Sequence, residues 1–87
     1  MIQITYHHNF LKSAKKLPKF QQNKLAHLLE YLQNNPFYPS LHTKRLTGDL
    51  VGLLSFRITR DWRVIFQFLD HETIQLLDIK HRKDIYR

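Results

Sequence analysis

Between Leu53 and Lys80 apolar and polar residues alternate in three successive runs, and this period of two limits the chain to a half-buried sheet there. The first run, Leu53 to Thr59, sets Leu54, Phe56 and Ile58 against Ser55, Arg57 and Thr59. The second, Trp62 to Leu69, sets Trp62, Val64, Phe66 and Phe68 against Arg63, Ile65, Gln67 and Leu69. Asp70-His71-Glu72 makes a turn, and Thr73 to Lys80 is the third run. Strands joined by such short links pair as an antiparallel meander, whose apolar face must be covered by something else in the chain.

The covering material lies upstream. Ile2, Ile4 and Tyr6 alternate with Gln3 and Thr5 as an N-terminal strand over residues 2 to 6. Phe10, Leu11, Ala14 and Leu17 then follow helical spacing, with Lys12, Lys15 and Lys16 on the other side as a solvated row. Pro18 closes that helix or opens the next, in which Leu25, Leu28, Leu29 and Leu32 form a stripe that ends at Asn34-Asn35-Pro36. So short a link predicts an antiparallel helical hairpin. Residues 36 to 52, with both glycines, read as irregular chain. The expected fold is α+β in the order βααβββ, one helical hairpin on one face of the sheet. At 87 residues it is a single domain, 1–87, because a chain this short has no apolar surface to spare for a second core.

Cross-strand partners share a face, and a slip of one residue flips every side chain. If Phe56 and Ile58 share the core with Val64 and Phe66, paired positions sum to an even number and the connecting loop is odd in length or bulged. The same parity places Arg57 and Arg63 together on the opposite, open face. A two-residue loop at Arg60-Asp61 would instead bury Arg63 beside Ile58, at a cost of several kcal/mol unless it is paired.

Charge narrows the class of partner. Fourteen Lys and Arg against seven Asp and Glu leave a formal net charge of +7, which favours a polyanion, nucleic acid first, with an acidic protein or a membrane surface as rivals. All six arginines lie after residue 40, and arginine is the bidentate phosphate binder. With no cysteine and scattered histidines the residues suggest no disulfide, metal site or cofactor. The first residues lack a signal peptide pattern, and no apolar run approaches the roughly 20 residues that span a bilayer, so a cytoplasmic protein is expected. There is no nucleotide-binding glycine loop and no nucleophile triad pattern.

Leu46-Thr47-Gly48-Asp49-Leu50, Phe56-Arg57-Ile58, Asp61-Trp62-Arg63-Val64-Ile65-Phe66 and the terminal His81-Arg82-Lys83-Asp84-Ile85-Tyr86 occur in this order. In motifs and in element order the chain resembles the RelE/ParE superfamily of type II toxin-antitoxin toxins over essentially its whole length. The resemblance implies a ribosome-dependent mRNA endonuclease, with mRNA and ribosomal RNA as its contacts and a cognate antitoxin as its silencing partner. The ParE branch implies instead a non-enzymatic poison of DNA gyrase, and an inactive member kept for antitoxin binding is a third possibility. Carried over, Arg63 matches the arginine that contacts the scissile phosphate and Arg57 the basic residue on the neighbouring strand. His81 and Arg82 fall where members place a basic or imidazole group, and Tyr86 matches the aromatic that stacks on or orients the base.

Cleavage by the 2′-hydroxyl needs that oxygen deprotonated, the dianionic phosphorane stabilised and the 5′-oxygen protonated, with no metal required. Two arginines on one face suit the charge, each such donor typically worth about 10²–10³-fold. An imidazole ordinarily titrates near neutrality, so His81 is the candidate acid or base, with Tyr86 for stacking or proton donation. Lys44, Arg45, Arg60, Arg82 and Lys83 are expected to hold backbone phosphates.

Overall fold

A computed structural model of the chain describes residues 1–85. Strand β1, Gln3–Tyr6, leads into helices α1, His8–Lys15, and α2, Lys19–Asn34. A short strand β2, Lys44–Arg45, follows, then β3, Leu54–Arg57, β4, Trp62–Asp70, β5, Thr73–His81, and a terminal helical turn α3, Arg82–Ile85. The five strands form one sheet in the order β1-β5-β4-β3-β2. β3, β4 and β5 are the expected antiparallel meander, while β1 lies parallel to β5, with Ile4 opposite Ile74. The stretch read as irregular contains the two-residue strand β2, and the basic tail forms α3; both are additions to the expected order.

Local chemistry sets the helix boundaries. The Nδ1 atom of His7 accepts the Asn9 amide at the start of α1 (3.1 Å), one of the donors a helix leaves without an intrahelical partner. Pro18 precedes α2, where a missing N–H costs nothing. The Gln22 side-chain Nε2 donates to the carbonyls of Leu17 (2.9 Å) and Lys15 (3.3 Å), tying the first residues of α2 to the end of α1.

The main core lies between the helical hairpin and one face of the sheet. Phe10, Leu25, Leu28 and Leu32 meet Leu54, Phe56, Ile58, Val64, Phe66, Ile74, Leu76 and Ile79 there. A second, smaller cluster occupies the opposite face, where Leu46, Ile65 and Ile85 are buried with Leu50, Leu53 and Leu77 against them. The loop that brings Leu46 and Leu50 over this face turns at Gly48 (φ +65°) and Gly52 (φ +94°), left-handed positions that suit glycine. Ile85 brings α3 to the same face. The side of the sheet away from the hairpin is therefore partly roofed.

Candidate functional site

The register of β3 and β4 pairs Arg57 directly with Arg63, Phe56 with Val64 and Leu54 with Phe66. This is the parity expected from the alternating runs: an odd number of residues separates the paired arginines, and Ile58 and Trp62 extend the ladder by a hydrogen bond so that Thr59-Arg60-Asp61 forms the tip. Ile58 and Thr59 donate their amides to the Trp62 carbonyl (3.0 and 3.3 Å), and Thr59 Oγ1 accepts the Trp62 amide (3.2 Å). Arg57 and Arg63 thus stand on the face away from the helices. That face is not open at Arg63, however: the residue is only 4% exposed, on the side roofed by the second cluster, while Arg57 is half-buried.

Burial shapes how Arg63 is held. Its Nη2 donates to the Arg60 carbonyl (3.1 Å), so the β3–β4 loop carries part of the guanidinium's hydrogen bonding. The loop is in turn clamped by the tail. The Arg82 amide donates to the Asp61 carbonyl (2.7 Å), and the Arg82 Nε lies 3.3 Å from an Asp61 carboxylate oxygen. Both side chains of that pair are about half exposed, so the ion pair orients the tail more than it stabilises it.

A third cation completes the row. On β5, Lys80 is the partner of Arg63, so Arg57, Arg63 and Lys80 lie side by side across β3, β4 and β5. Neighbouring strands are about 4.8 Å apart, which sets the spacing of the three backbones. Lys80 Nζ lies 3.9 Å from Asp78 Oδ2, whose other oxygen accepts from Ser13 Oγ (2.7 Å) and from the Ile79 amide (2.7 Å). A β-bulge produces the alignment: Ile65 pairs with Asp78 but Phe66 with Leu76, so Leu77 has no partner and every side chain of β5 beyond it changes face.

The bulge moves His81 in the opposite sense. Its partner is Trp62, and the two rings meet edge to face at 5.2 Å, on the helix side of the sheet. Its Nδ1 accepts the Lys83 amide (3.3 Å). The structure therefore does not bring His81 to the arginine row. Tyr86 lies outside the described residues. Another imidazole, that of His7, lines a groove of about 230 Å³ that also touches Lys80, Ile65 and Leu77.

The remaining predicted phosphate ligands divide. Lys44 pairs with Ser55 and shares the arginine face, whereas Arg45 pairs with Leu54 and turns to the helix side, its guanidinium 5.7 Å from the Phe37 ring centroid. Arg60 and Lys83 are exposed at the end of the sheet, and Arg82 is engaged with Asp61. Beside Ile85, a wider groove of about 720 Å³ runs along Leu46 to Leu50 with Asp84 on its wall. Among the described residues no group of three His, Cys, Asp or Glu could hold a metal ion, and no helix is long and apolar enough to cross a membrane.

This arrangement can hold an anion and stabilise negative charge developing on it. Residues 4–86 match the family model described as the ParE toxin of the type II toxin-antitoxin system, parDE. Among solved structures, YafQ from E. coli strain BL21(DE3) is 22% identical over all of both chains, with a TM-score of 0.77. RelE in the archaeal RelE-RelB complex from Pyrococcus horikoshii OT3 is 23% identical over 93% of this chain and 94% of that one, also at 0.77. A chain of the heterotetrameric YoeB-YefM toxin-antitoxin complex from Staphylococcus aureus is 21% identical over 92% and 95%, at 0.74. No curated protein sequence matches.

Proposed function

The chain belongs to the ParE toxin family of type II toxin-antitoxin systems, and from that premise we propose that it acts as a ribosome-dependent endoribonuclease. It cleaves mRNA by attack of the 2′-hydroxyl on the adjacent phosphate, without a metal, and so blocks translation. The observation that carries this reading is the row Arg57-Arg63-Lys80, three cations in register across three strands. Like charges directly opposite on a sheet oppose folding, which fits a surface built to receive an anion. A phosphate whose transition state gains a second negative charge fits such a row better than one whose charge stays constant.

In this reading Arg57 contacts the scissile phosphate, and Arg63, buried and fixed by the Arg60 carbonyl, adds its charge from beneath. Lys80 adds a point charge beside them, and Lys44 and Arg60 hold flanking phosphates. His81 serves as a positioning residue, setting the start of α3 through the Lys83 amide and Trp62. Register keeps His81 off the row, so Tyr86, which the family resemblance brings to the substrate, is the better-supported proton carrier. The partner that silences the protein is a cognate antitoxin, as in the RelE-RelB and YoeB-YefM complexes, and a net charge of +7 suits an acidic covering segment.

The test expresses wild type, Arg63→Ala and Lys80→Ala and maps mRNA ends on translating ribosomes. Wild type should produce discrete cuts within codons that both variants lose. Growth arrest with intact mRNA and gyrase-linked DNA breaks would refute the nuclease reading.

A further inference from the structure

On the helix side of the sheet, back to back with the arginine row, a cleft of about 370 Å³ opens between the α1–α2 turn and the start of β4. Trp62, Leu17, Pro18 and Ile79 line it, with Lys16 and Gln21 at its sides. Two features set it apart from a packing defect. Trp62 keeps 37% of its surface exposed while His81 fixes the plane of its indole. Gln21, which lines the cleft, has its Oε1 atom buried without a hydrogen-bond partner.

The surroundings select the ligand's charge. Lys12 and Lys15 lie on α1, Lys16 follows it and Lys19 opens α2, and Arg60 and Lys83 are exposed at this end of the sheet. Of the acids nearby, Asp61 is engaged with Arg82 and Asp78 with Ser13 and Lys80. A flat ring to stack on the indole, an N–H for Gln21 and a phosphate tether for the cations describe a nucleotide within a strand.

Trp62 and Arg63 are consecutive on β4, so their side chains leave opposite faces of the sheet. A strand lying on Arg57-Arg63-Lys80 reaches Trp62 by turning over the loop Thr59-Arg60-Asp61, where Arg60 is exposed. We infer that this cleft is a nucleobase subsite: RNA held by the row folds over the β3–β4 loop and seats one base on Trp62, donating an N–H to Gln21 Oε1. The subsite rests on the RNA-cleaving function proposed above, which it deepens.

Trp62 is the chain's single tryptophan, so emission excited beyond the absorption of the four tyrosines reports on the cleft alone. The full chain is titrated with an end-labelled 2′-O-methyl RNA of about eight nucleotides, within the range of single-strand sites and with no free 2′-hydroxyl to react. Anisotropy reports binding and Trp62 emission reports stacking. Both should saturate together, and an abasic strand of the same length should bind without quenching. Trp62→Ala should weaken the base-bearing strand roughly 10-fold and leave the abasic strand unchanged. Gln21→Leu, which keeps the indole and its emission, should weaken it by a smaller factor and leave the abasic strand unchanged. Binding without quenching, or equal quenching by the abasic strand, overturns the subsite while leaving the arginine row intact. Quenching by the cognate antitoxin and by no oligonucleotide assigns the cleft to a protein and overturns it too. If neither strand binds, the subsite is overturned, whereas the ribosome-dependent nuclease reading is decided separately by the mapped mRNA ends.

Discussion

Reversing one charge of the row should make the protein more stable and less active. Arg57 and Arg63 face each other directly, and like charges at such positions cost about 0.2–1 kcal/mol, opposite charges returning a similar amount. Arg57→Glu turns a repulsion into an attraction and is worth roughly 0.4–2 kcal/mol before other effects. Two of these act against the gain or for it: glutamate is a weaker strand former by a few tenths of a kcal/mol, and the substitution removes the Arg57 Nε, which is buried without a hydrogen-bond partner. A net gain of about 1 kcal/mol remains, which for a domain of this size raises the melting temperature by about 4–8 °C.

Calorimetry at low salt and again at about 1 M NaCl checks both the size and the cause, since the Debye length falls to about 3 Å at 1 M. The gain should shrink at high salt, and Arg57→Gln should recover about half of it. mRNA cleavage by Arg57→Glu should drop by about 10²–10³-fold, the usual loss for one charge-stabilising donor. A variant that melts below wild type at low salt, or whose gain ignores salt, would refute the electrostatic account of the row.

Further outcomes follow from the same geometry. His81→Ala should reduce cleavage by less than about 10-fold, against about 10²–10³ for Arg63→Ala, and mapped mRNA ends in single-turnover reactions decide between them. Leu32 is fully buried between α2 and the sheet, so Leu32→Ala should cost about 2–5 kcal/mol. Against a total of roughly 4–13 kcal/mol for a domain of this size, thermal melts should fall by at least about 8 °C. The Glu72 amide, which donates to Asp70 Oδ1 (2.8 Å), holds the Asp70 carboxyl below its ordinary value. Its contribution is present above the unfolded carboxylate's pKa and is lost as pH falls through the folded one. Asp70→Asn should therefore melt with a shallower acid dependence than wild type when scanned from neutral pH to about 3.

What could be read before the structure depended on periodicity. Three alternating runs and a leucine stripe extend over enough residues to declare strands and a helix, and parity then places Arg57 and Arg63 on one face, though not as direct partners. β2 spans two residues and α3 four, too few to show either period. The burial of Arg63 carried no signal because the cluster on its side of the sheet draws on Leu46, just after β2, and on Ile85 of α3. His7 gave no signal either: two adjacent histidines predict only that they point different ways, and its place at a groove comes from the entry into α1.

The bulge at Leu77 shows why the site itself was harder to read than the fold. Carried on from the Phe66–Leu76 register without interruption, the β5 ladder would turn Lys80 to the helix side and His81 to the arginine face, which is the arrangement a reader of the alternation expects. One unpartnered leucine exchanges them. Its own side chain packs in the second cluster with Ile65, so the extra residue is held by apolar contact and not left loose in a turn. The exchange changes the chemistry of the face. With His81 in the row, a titratable base would sit among cations that oppose its protonation; with Lys80 there, the row carries three positive charges suited to a phosphorane. The same step frees His81 to orient Trp62 on the other side of the sheet, coupling the phosphate row to the cleft behind it through two consecutive residues of β4.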